Sequence, residues 1–311
     1  MNDLAKKLLA GNRRALARVL TRVENGKAEG RALLAELYPH SGQAYLIGIT
    51  GPPGTGKSTL VNAITRELRQ RGKRVGIIAV DPTSPFSGGA VLGDRIRMSE
   101  HSADRGVFIR SMASRGSLGG LSRATGDAAT VMDAAGFDCV LIETVGAGQA
   151  EVEIAKEAHS VVVVEVPGLG DDVQAIKAGL LEIADVFAVN KADHAQANRT
   201  VASLRMMLSI ANHEYEWKPP IVKTVAITGE GVNHLVDELF RHRAHLEQSG
   251  QLMARQRQRA ADEFYRALER EWFKRLRAEA GDRYDKYITD ITTRQLDPYT
   301  AASALMATLS K

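Results

Sequence analysis

The residues best suited to chemistry stand in the stretch "GPPGTGKS" at 51–58, which has the pattern G-x-x-x-x-G-K-[ST]. Apolar residues precede it and a helical pattern follows it, which is the strand–loop–helix context that this motif requires. Glycines let a backbone approach a phosphate group, and the N–H groups at the start of a helix favour an anion. We expect Lys57 to reach the β- and γ-phosphates of a nucleotide and the Ser58 hydroxyl to bind Mg²⁺. The predicted phosphate-binding residues are Gly51, Pro52, Pro53, Gly54, Thr55, Gly56, Lys57, Ser58 and Thr59.

A second motif, "NKAD" at 190–193, ends a later apolar run and indicates which base is read. A carboxylate at Asp193 can accept hydrogen bonds from N1 and N2 of guanine. Adenine offers neither donor and would leave that carboxylate unpaired, which is costly in a desolvated site. The substrate is therefore predicted to be GTP, with GDP as product. The Lys191 stem is expected to lie over the nucleotide, and Asn190 to tie this loop to the phosphate loop. Backbone groups of a further loop would complete the base pocket, at Val225, Ala226 and Ile227.

Two acidic residues end apolar runs and are candidates for the metal site. Glu143 ends "DCVLIE", and Asp81 follows "RVGIIAV". Because ligands of open α/β sheets bind at the carboxyl ends of the strands, both carboxylates are expected near the phosphates. The predicted Mg²⁺ ligands are thus Ser58, Asp81 and Glu143. Gly146, shortly after Glu143, is a candidate sensor of the γ-phosphate, although E-T-V-G differs from the usual D-x-x-G.

The residue that orients the attacking water is not marked by any single pattern. Asp94 and Gln149 are the candidates, and together with Lys57 they form the predicted catalytic set. Asp94 could equally cap a helix. Without a clear water-orienting glutamine, we expect slow intrinsic hydrolysis that a partner accelerates.

The chain around these motifs alternates strand and helix patterns. Seven apolar runs lie between residues 44 and 226, and most are continuous, which is typical of strands buried on both faces of a parallel sheet. We predict an α/β doubly wound domain at 44–240, a helical extension at 1–43 and a helical arm at 241–311. An apolar stripe in the arm could pack on its own domain or on a second copy; it comprises Ala260, Phe264, Leu268, Trp272 and Leu276.

Composition excludes several classes of protein. The chain has 311 residues and a net charge of +4, and its excess positive charge lies in the two helical ends. No cluster interleaves basic and aromatic residues, so we expect no nucleic-acid partner. No run approaches the roughly 20 apolar residues of a membrane span, and the first residues lack a signal-peptide pattern, so a cytoplasmic location is expected. The single cysteine, Cys139, is predicted to be a buried small hydrophobe.

Five motifs, in this order and spacing, resemble those of the MeaB/ArgK/MMAA family of P-loop GTPases of the SIMIBI class. They are "GITGPPGTGKSTL", "AVDPTSPFSGGAVLGDRIRM", "ETVGAGQAE", "PGLGDDVQAIKAG" and "VNKAD". The resemblance implies a homodimer that protects adenosylcobalamin-dependent acyl-CoA mutases, chiefly methylmalonyl-CoA mutase, and gates loading of their cofactor. It also implies that Asp94 lies in a first switch loop and takes part in partner-stimulated hydrolysis. One departure is Val225, where many relatives have serine.

The segment "EVPGLGDDVQAIKAG" at 165–179 has two readings. Asp171 and Asp172 can cap the helix that follows. The resemblance implies instead a third switch segment that signals to the mutase, with Lys177 as its charged counterpart. Two other functions stay open: a nickel-inserting GTPase, which the single cysteine and scattered histidines disfavour, and a kinase of a small substrate.

Overall fold

The computed structural model describes residues 1–81, 101, 103–113, 123–144, 150–168, 178–210 and 216–309. Within these ranges the chain forms two compact units, residues 1–252 and 253–311. The first unit holds the sheet and every predicted site residue that the structure describes. The predicted boundary at residue 241 falls inside a helix of this first unit.

A parallel sheet of seven strands forms the centre of the first unit, in the order β3-β2-β4-β1-β5-β6-β7. All seven predicted strands are present, so the predicted α/β fold class is confirmed. The seventh ends earlier than predicted, because the chain turns after Val225, whose carbonyl accepts from the Gly229 N–H at 2.9 Å. The strands are β1 Tyr45–Thr50, β2 Val75–Asp81, β3 Val107–Ala113, β4 Cys139–Thr144, β5 Ser160–Glu165, β6 Val186–Val189 and β7 Ile221–Lys223.

Helices cover both faces of this sheet. In the described residues of the first unit they are α1 Asp3–Leu9, α2 Arg13–Glu24, α3 Ala28–Leu37, α4 Lys57–Gln70, α5 Arg123–Ala134, α6 Ala150–Glu157, α7 Ala178–Ile183, α8 Ala197–Ile210 and α9 Val232–Gln248. Successive strand residues point to opposite faces. Ile47 and Ile49 pack with α4 and α9, whereas Leu46 belongs to the core under α1–α3 and α5–α8.

The N-terminal helices are part of this first unit. Asn12 caps α2, because its side chain accepts a hydrogen bond from the Ala15 N–H at 3.0 Å. The large apolar side chains of α2 are buried, and each contributes about 1.5–3 kcal/mol; they are Leu16, Val19, Leu20 and Val23. Polar contacts add a link to the edge strand β3: Arg110 pairs with Glu24, and Arg13 Nη1 donates to Val107 O at 2.8 Å.

A buried polar network holds α9 at the amino-terminal edge of the sheet. The Tyr45 hydroxyl donates to Leu239 O at 2.7 Å and lies 2.5 Å from Ser160 Oγ. Ser160 Oγ is 2.6 Å from His242 Nδ1, and His242 Nε2 is 3.2 Å from Asp185 Oδ1. Burial is the main cause that raises the pKa of Tyr45. The network connects β1, β5 and the start of β6 to one helix.

The second unit consists of α10 Gln251–Ala280, most of which lies in it, α11 Asp282–Thr292 and α12 Pro298–Leu309. Asp297 caps α12, because its carboxylate accepts from the Tyr299 and Thr300 N–H groups. The apolar core of this unit is small: Leu276, Ala280 and Leu305. Of the predicted stripe on α10, only Leu276 is buried, and the other members are exposed.

No helix in the described ranges combines the length and the apolar character that crossing a bilayer demands.

Candidate nucleotide-binding site

The phosphate loop joins β1 to α4, and its glycines are required by close packing. Gly51 has φ 139°, and a Cβ atom there would lie 2.2 Å from Val164 O of β5. Gly56 has φ 81°, and a Cβ atom there would lie 2.7 Å from Asn190 Nδ2. Both positions combine a left-handed backbone with no space for a side chain. The loop is therefore held against β5 on one side and against the chain that leaves β6 on the other.

Side chains inside the loop bond to its own backbone. Lys57 is buried, and its ammonium donates to Gly51 O at 2.7 Å and to Pro52 O at 2.8 Å. Thr55 Oγ1 donates to Pro52 O at 2.9 Å. These bonds place the Lys57 ammonium within the curve of the loop.

Ser58 and Glu143 meet although 85 positions separate them in the chain. Ser58 Oγ donates to Glu143 Oε1 at 2.6 Å, and Glu143 is 1% exposed at the end of β4. Asp81 ends β2, the strand next to β4, so its backbone lies at the same carboxyl edge of the sheet. The structure does not describe the Asp81 side chain.

Asn190 links the phosphate loop to both parts of the predicted base pocket. Its Nδ2 donates to Thr55 O at 2.9 Å, which is the link expected from the sequence. Its Oδ1 accepts from the Ala226 N–H at 3.1 Å and from the Thr224 hydroxyl at 3.3 Å. Because Asn190 is 2% exposed, these bonds are shielded from water.

The other residues of the predicted base pocket lie around this asparagine. Lys191 has φ 54°, and its ammonium donates to Gly54 O at 3.0 Å. The Asp193 side chain is exposed, and no donor in the described part of the chain reaches it. Val225 and Ala226 are buried, whereas Ile227 is 83% exposed.

Six predicted residues fall outside the ranges that the structure describes: Asp94, Gly146, Gln149, Asp171, Asp172 and Lys177. Their roles stay predictions from the sequence.

One pair of residues beside the loop is not marked in the sequence. Thr144 Oγ1 donates to Thr50 Oγ1 at 3.1 Å, and both side chains are buried. Threonine is common in strands, so neither residue stands out by type or by spacing. Only the alignment of β1 with β4 brings them together.

Comparison with known proteins decides the family. The model of a family described as "Methylmalonyl Co-A mutase-associated GTPase MeaB" matches residues 16–281. The chain belongs to the MeaB family. As a member of that family it is a P-loop GTPase, a hydrolase of GTP, and its fold is that of the SIMIBI class.

Relatives of this MeaB-family chain match along most of its length. A protein of Pyrococcus horikoshii, whose name assigns it provisionally to the GTPases, is 48% identical over 309 residues, covering 98% of this chain and 97% of its own. "GTPase ArgK" of Escherichia coli is 35% identical over 291 residues, covering 91% and 87%. A crystal structure described as "LAO/AO transport system kinase" superposes with a TM-score of 0.72 at 27% identity, covering 100% of this chain and 99% of that one.

Proposed function

We propose that this GTPase assists an adenosylcobalamin-dependent acyl-CoA mutase, such as methylmalonyl-CoA mutase, and that GTP hydrolysis gates cofactor loading and protects the mutase. The observation that carries the proposal is the match to a family described as mutase-associated over residues 16–281. We propose that the GTPase meets this partner in the cytoplasm.

The proposed roles at the nucleotide follow the geometry of the loops. Lys57 would exchange its bonds to the loop carbonyls for bonds to the β- and γ-phosphates, and so stabilise the charge that develops in the transition state. Asp193 would pair with N1 and N2 of guanine. Asn190 would transmit the position of the base to the phosphate loop, because it bonds to both loops.

The Ser58–Glu143 contact is a suitable place for Mg²⁺. A hydroxyl and a buried carboxylate 2.6 Å apart offer oxygen atoms, the ligands that this ion prefers. We assign the ion to Ser58 and Glu143, directly or through water, with Asp81 as a third candidate. When bound, Mg²⁺ would neutralise charge on the phosphate oxygens. Asp94 and Gln149 are the proposed residues for orienting the attacking water.

We also propose that the working form is a homodimer formed through the helical arm. The second unit buries few apolar residues, while large apolar side chains on α10 are exposed. A second copy of the same arm would cover them, since a self-complementary apolar face favours a twofold contact.

Purified methylmalonyl-CoA mutase tests the mutase proposal. We expect the two proteins to elute together in size-exclusion chromatography, and the mutase to raise the rate of GTP turnover. If the mutase neither binds nor stimulates, the proposed partner class is wrong.

Two further variants test the third switch segment. Asp171→Ala and Lys177→Ala should retain basal turnover and lose stimulation by the mutase, whereas Lys156→Ala, at an exposed lysine of α6, should behave like the wild type. A fall in thermal stability alone for Asp171→Ala would mean that Asp171 only caps the helix.

A further inference from the structure

The last two residues of β4 reach opposite ends of the phosphate loop. Glu143 accepts a hydrogen bond from Ser58, just after the loop, at 2.6 Å. Thr144 donates to Thr50, the residue before Gly51, at 3.1 Å. Because neighbouring strand residues point to opposite faces, one strand end is bonded to the loop from both sides of the sheet. We call Glu143 and Thr144 together the β4 clamp.

The Thr50–Thr144 bond is well placed to fix the position of the loop. Ile49 and Glu143 are partners in the β1–β4 register, so the two threonines follow directly in line. Thr50 is 0% and Thr144 is 1% exposed. Water does not compete for a hydrogen bond at this depth, and a hydroxyl that loses its partner there is costly. The bond therefore resists a sliding of β4 relative to the start of the loop.

We propose that Thr144 is a positioning residue for GTP hydrolysis. The hydrogen bond of its hydroxyl to Thr50 fixes the position of the end of β4 along β1. It thereby fixes the distance between the Glu143 carboxylate and the phosphate loop. The inference rests on the proposed assignment of Mg²⁺ to Ser58 and Glu143. It adds a determinant of that site which makes no contact with the ion or the nucleotide.

The proposal predicts which kinetic quantities respond. Asn190 and its neighbours hold the base loop from the end of β6, and β1 and β5 lie between β6 and β4 in the sheet. Loosening of the β4 clamp should therefore disturb the Mg²⁺ requirement and kcat, while KM for GTP changes little. A merely structural role would lower stability without moving the Mg²⁺ dependence.

Two substitutions of Thr144 distinguish the contribution of its hydroxyl from that of its shape. Thr144→Val removes the hydroxyl and retains the shape, whereas Thr144→Ser retains the hydroxyl. Thr65→Val is the matched control, because Thr65 is also 0% exposed but bonds to Val61 O inside α4 at 2.7 Å. For Thr144→Val we expect kcat to fall about threefold to tenfold and the half-saturating Mg²⁺ concentration to rise by a similar factor, the size of one hydrogen bond. Thr144→Ser and Thr65→Val should stay close to the wild type in both quantities.

A variant of the partner residue Thr50 keeps the proposal testable if Thr144→Val misfolds, and it tests whether the two hydroxyls act through one bond. Thr50→Val should reproduce the effect of Thr144→Val, and the double variant should be no worse than either alone, because both remove the same bond. Additive losses would contradict the proposal. So would a Thr144→Ser variant as impaired as Thr144→Val, since packing would then be responsible.

Failure of the metal assignment can be told apart from failure of the β4 clamp. If Ser58→Ala and Glu143→Gln leave the Mg²⁺ dependence unchanged, the assignment of the ion is wrong and the inference falls with it. If those two variants change it and Thr144→Val does not, the assignment stands and only the positioning role of Thr144 is overturned.

Discussion

Lys57 is a buried cation whose ammonium already faces the inner curve of the phosphate loop. Replacing it with alanine removes the positive charge that the γ-phosphate would meet in the transition state. We expect Lys57→Ala to lower kcat for GTP hydrolysis by about a hundredfold or more, the usual effect of losing one such group. The circular dichroism spectrum and thermal midpoint should show a retained fold. Lys73→Ala, at the opposite edge of the sheet, is the control; hydrolysis by Lys57→Ala at the wild-type rate would refute the loop assignment.

Asp193 is an exposed carboxylate next to loops that are otherwise tightly bonded. Asp193→Asn exchanges one acceptor for a donor, and two hydrogen bonds to guanine are disturbed. We expect GTP affinity to fall about tenfold to a hundredfold in isothermal titration. Xanthine carries a carbonyl in place of the 2-amino group of guanine, so xanthosine triphosphate should bind the variant better than GTP does. Unchanged selectivity for GTP over ATP would exclude this role for Asp193.

At the scale of elements, an ion pair joins α4 to the chain that enters β3. Arg69 Nε lies 2.8 Å from Asp104 Oδ2, and Nη2 donates to Oδ1 at 3.1 Å. The guanidinium is the main cause that lowers the pKa of Asp104, and the Gly106 N–H adds to it. A carboxyl with a lowered pKa in the folded state stabilises the fold above its unfolded pKa, and loses that effect as the pH falls through the folded value.

This pair yields a prediction about acid stability. Because the two side chains are 27% and 33% exposed, the contribution should be below about 1 kcal/mol. The free energy of unfolding in urea should be lower for Asp104→Asn than for the wild type throughout the range from pH 5 to pH 7. This difference between the two proteins should shrink as the pH falls below about 4. A difference that is constant down to the lowest pH would mean that the charge of Asp104 is not involved.

The sequence predicts the elements that a contiguous stretch of residues specifies. It does not predict contacts that depend on the register between segments far apart in the chain. The strands were predictable because buried parallel strands are continuous apolar runs, and the phosphate loop because glycines, lysine and serine stand together. The Thr50–Thr144 bond was not, since the register of β1 against β4 joins segments 94 positions apart. The Ser160–His242–Asp185 contacts were missed for the same reason. The stripe on α10 indicated an apolar face, but periodicity alone does not say what covers such a face.

At the scale of the whole molecule, the arm determines the proposed assembly. Phe264, Leu268 and Trp272 repeat every four residues along α10 and are 70%, 55% and 48% exposed. Trp272→Glu would place a charge at the centre of the proposed contact, so the dimer dissociation constant should rise at least about tenfold. Lys274 lies roughly 200° around the same helix from Trp272, so Lys274→Glu serves as the control. Sedimentation velocity would decide, and a Trp272→Glu protein that stays dimeric at low concentration would place the contact elsewhere.

The single thiol of the chain also has a use that its burial makes possible. Cys139 lies in β4 and is 1% exposed, and burial raises the pKa of its thiol to about 12. A thiol reagent can therefore react only when the central strands separate, so the labelling rate reports how often the sheet opens. Bound nucleotide should slow the labelling of Cys139, because ligands that bind only the folded protein make opening rarer. A labelling rate as fast as that of a free thiol would show that β4 opens far more readily than its burial implies. The same cysteine would then report, without any mutation, how firmly the phosphate loop and β4 hold each other in each nucleotide state.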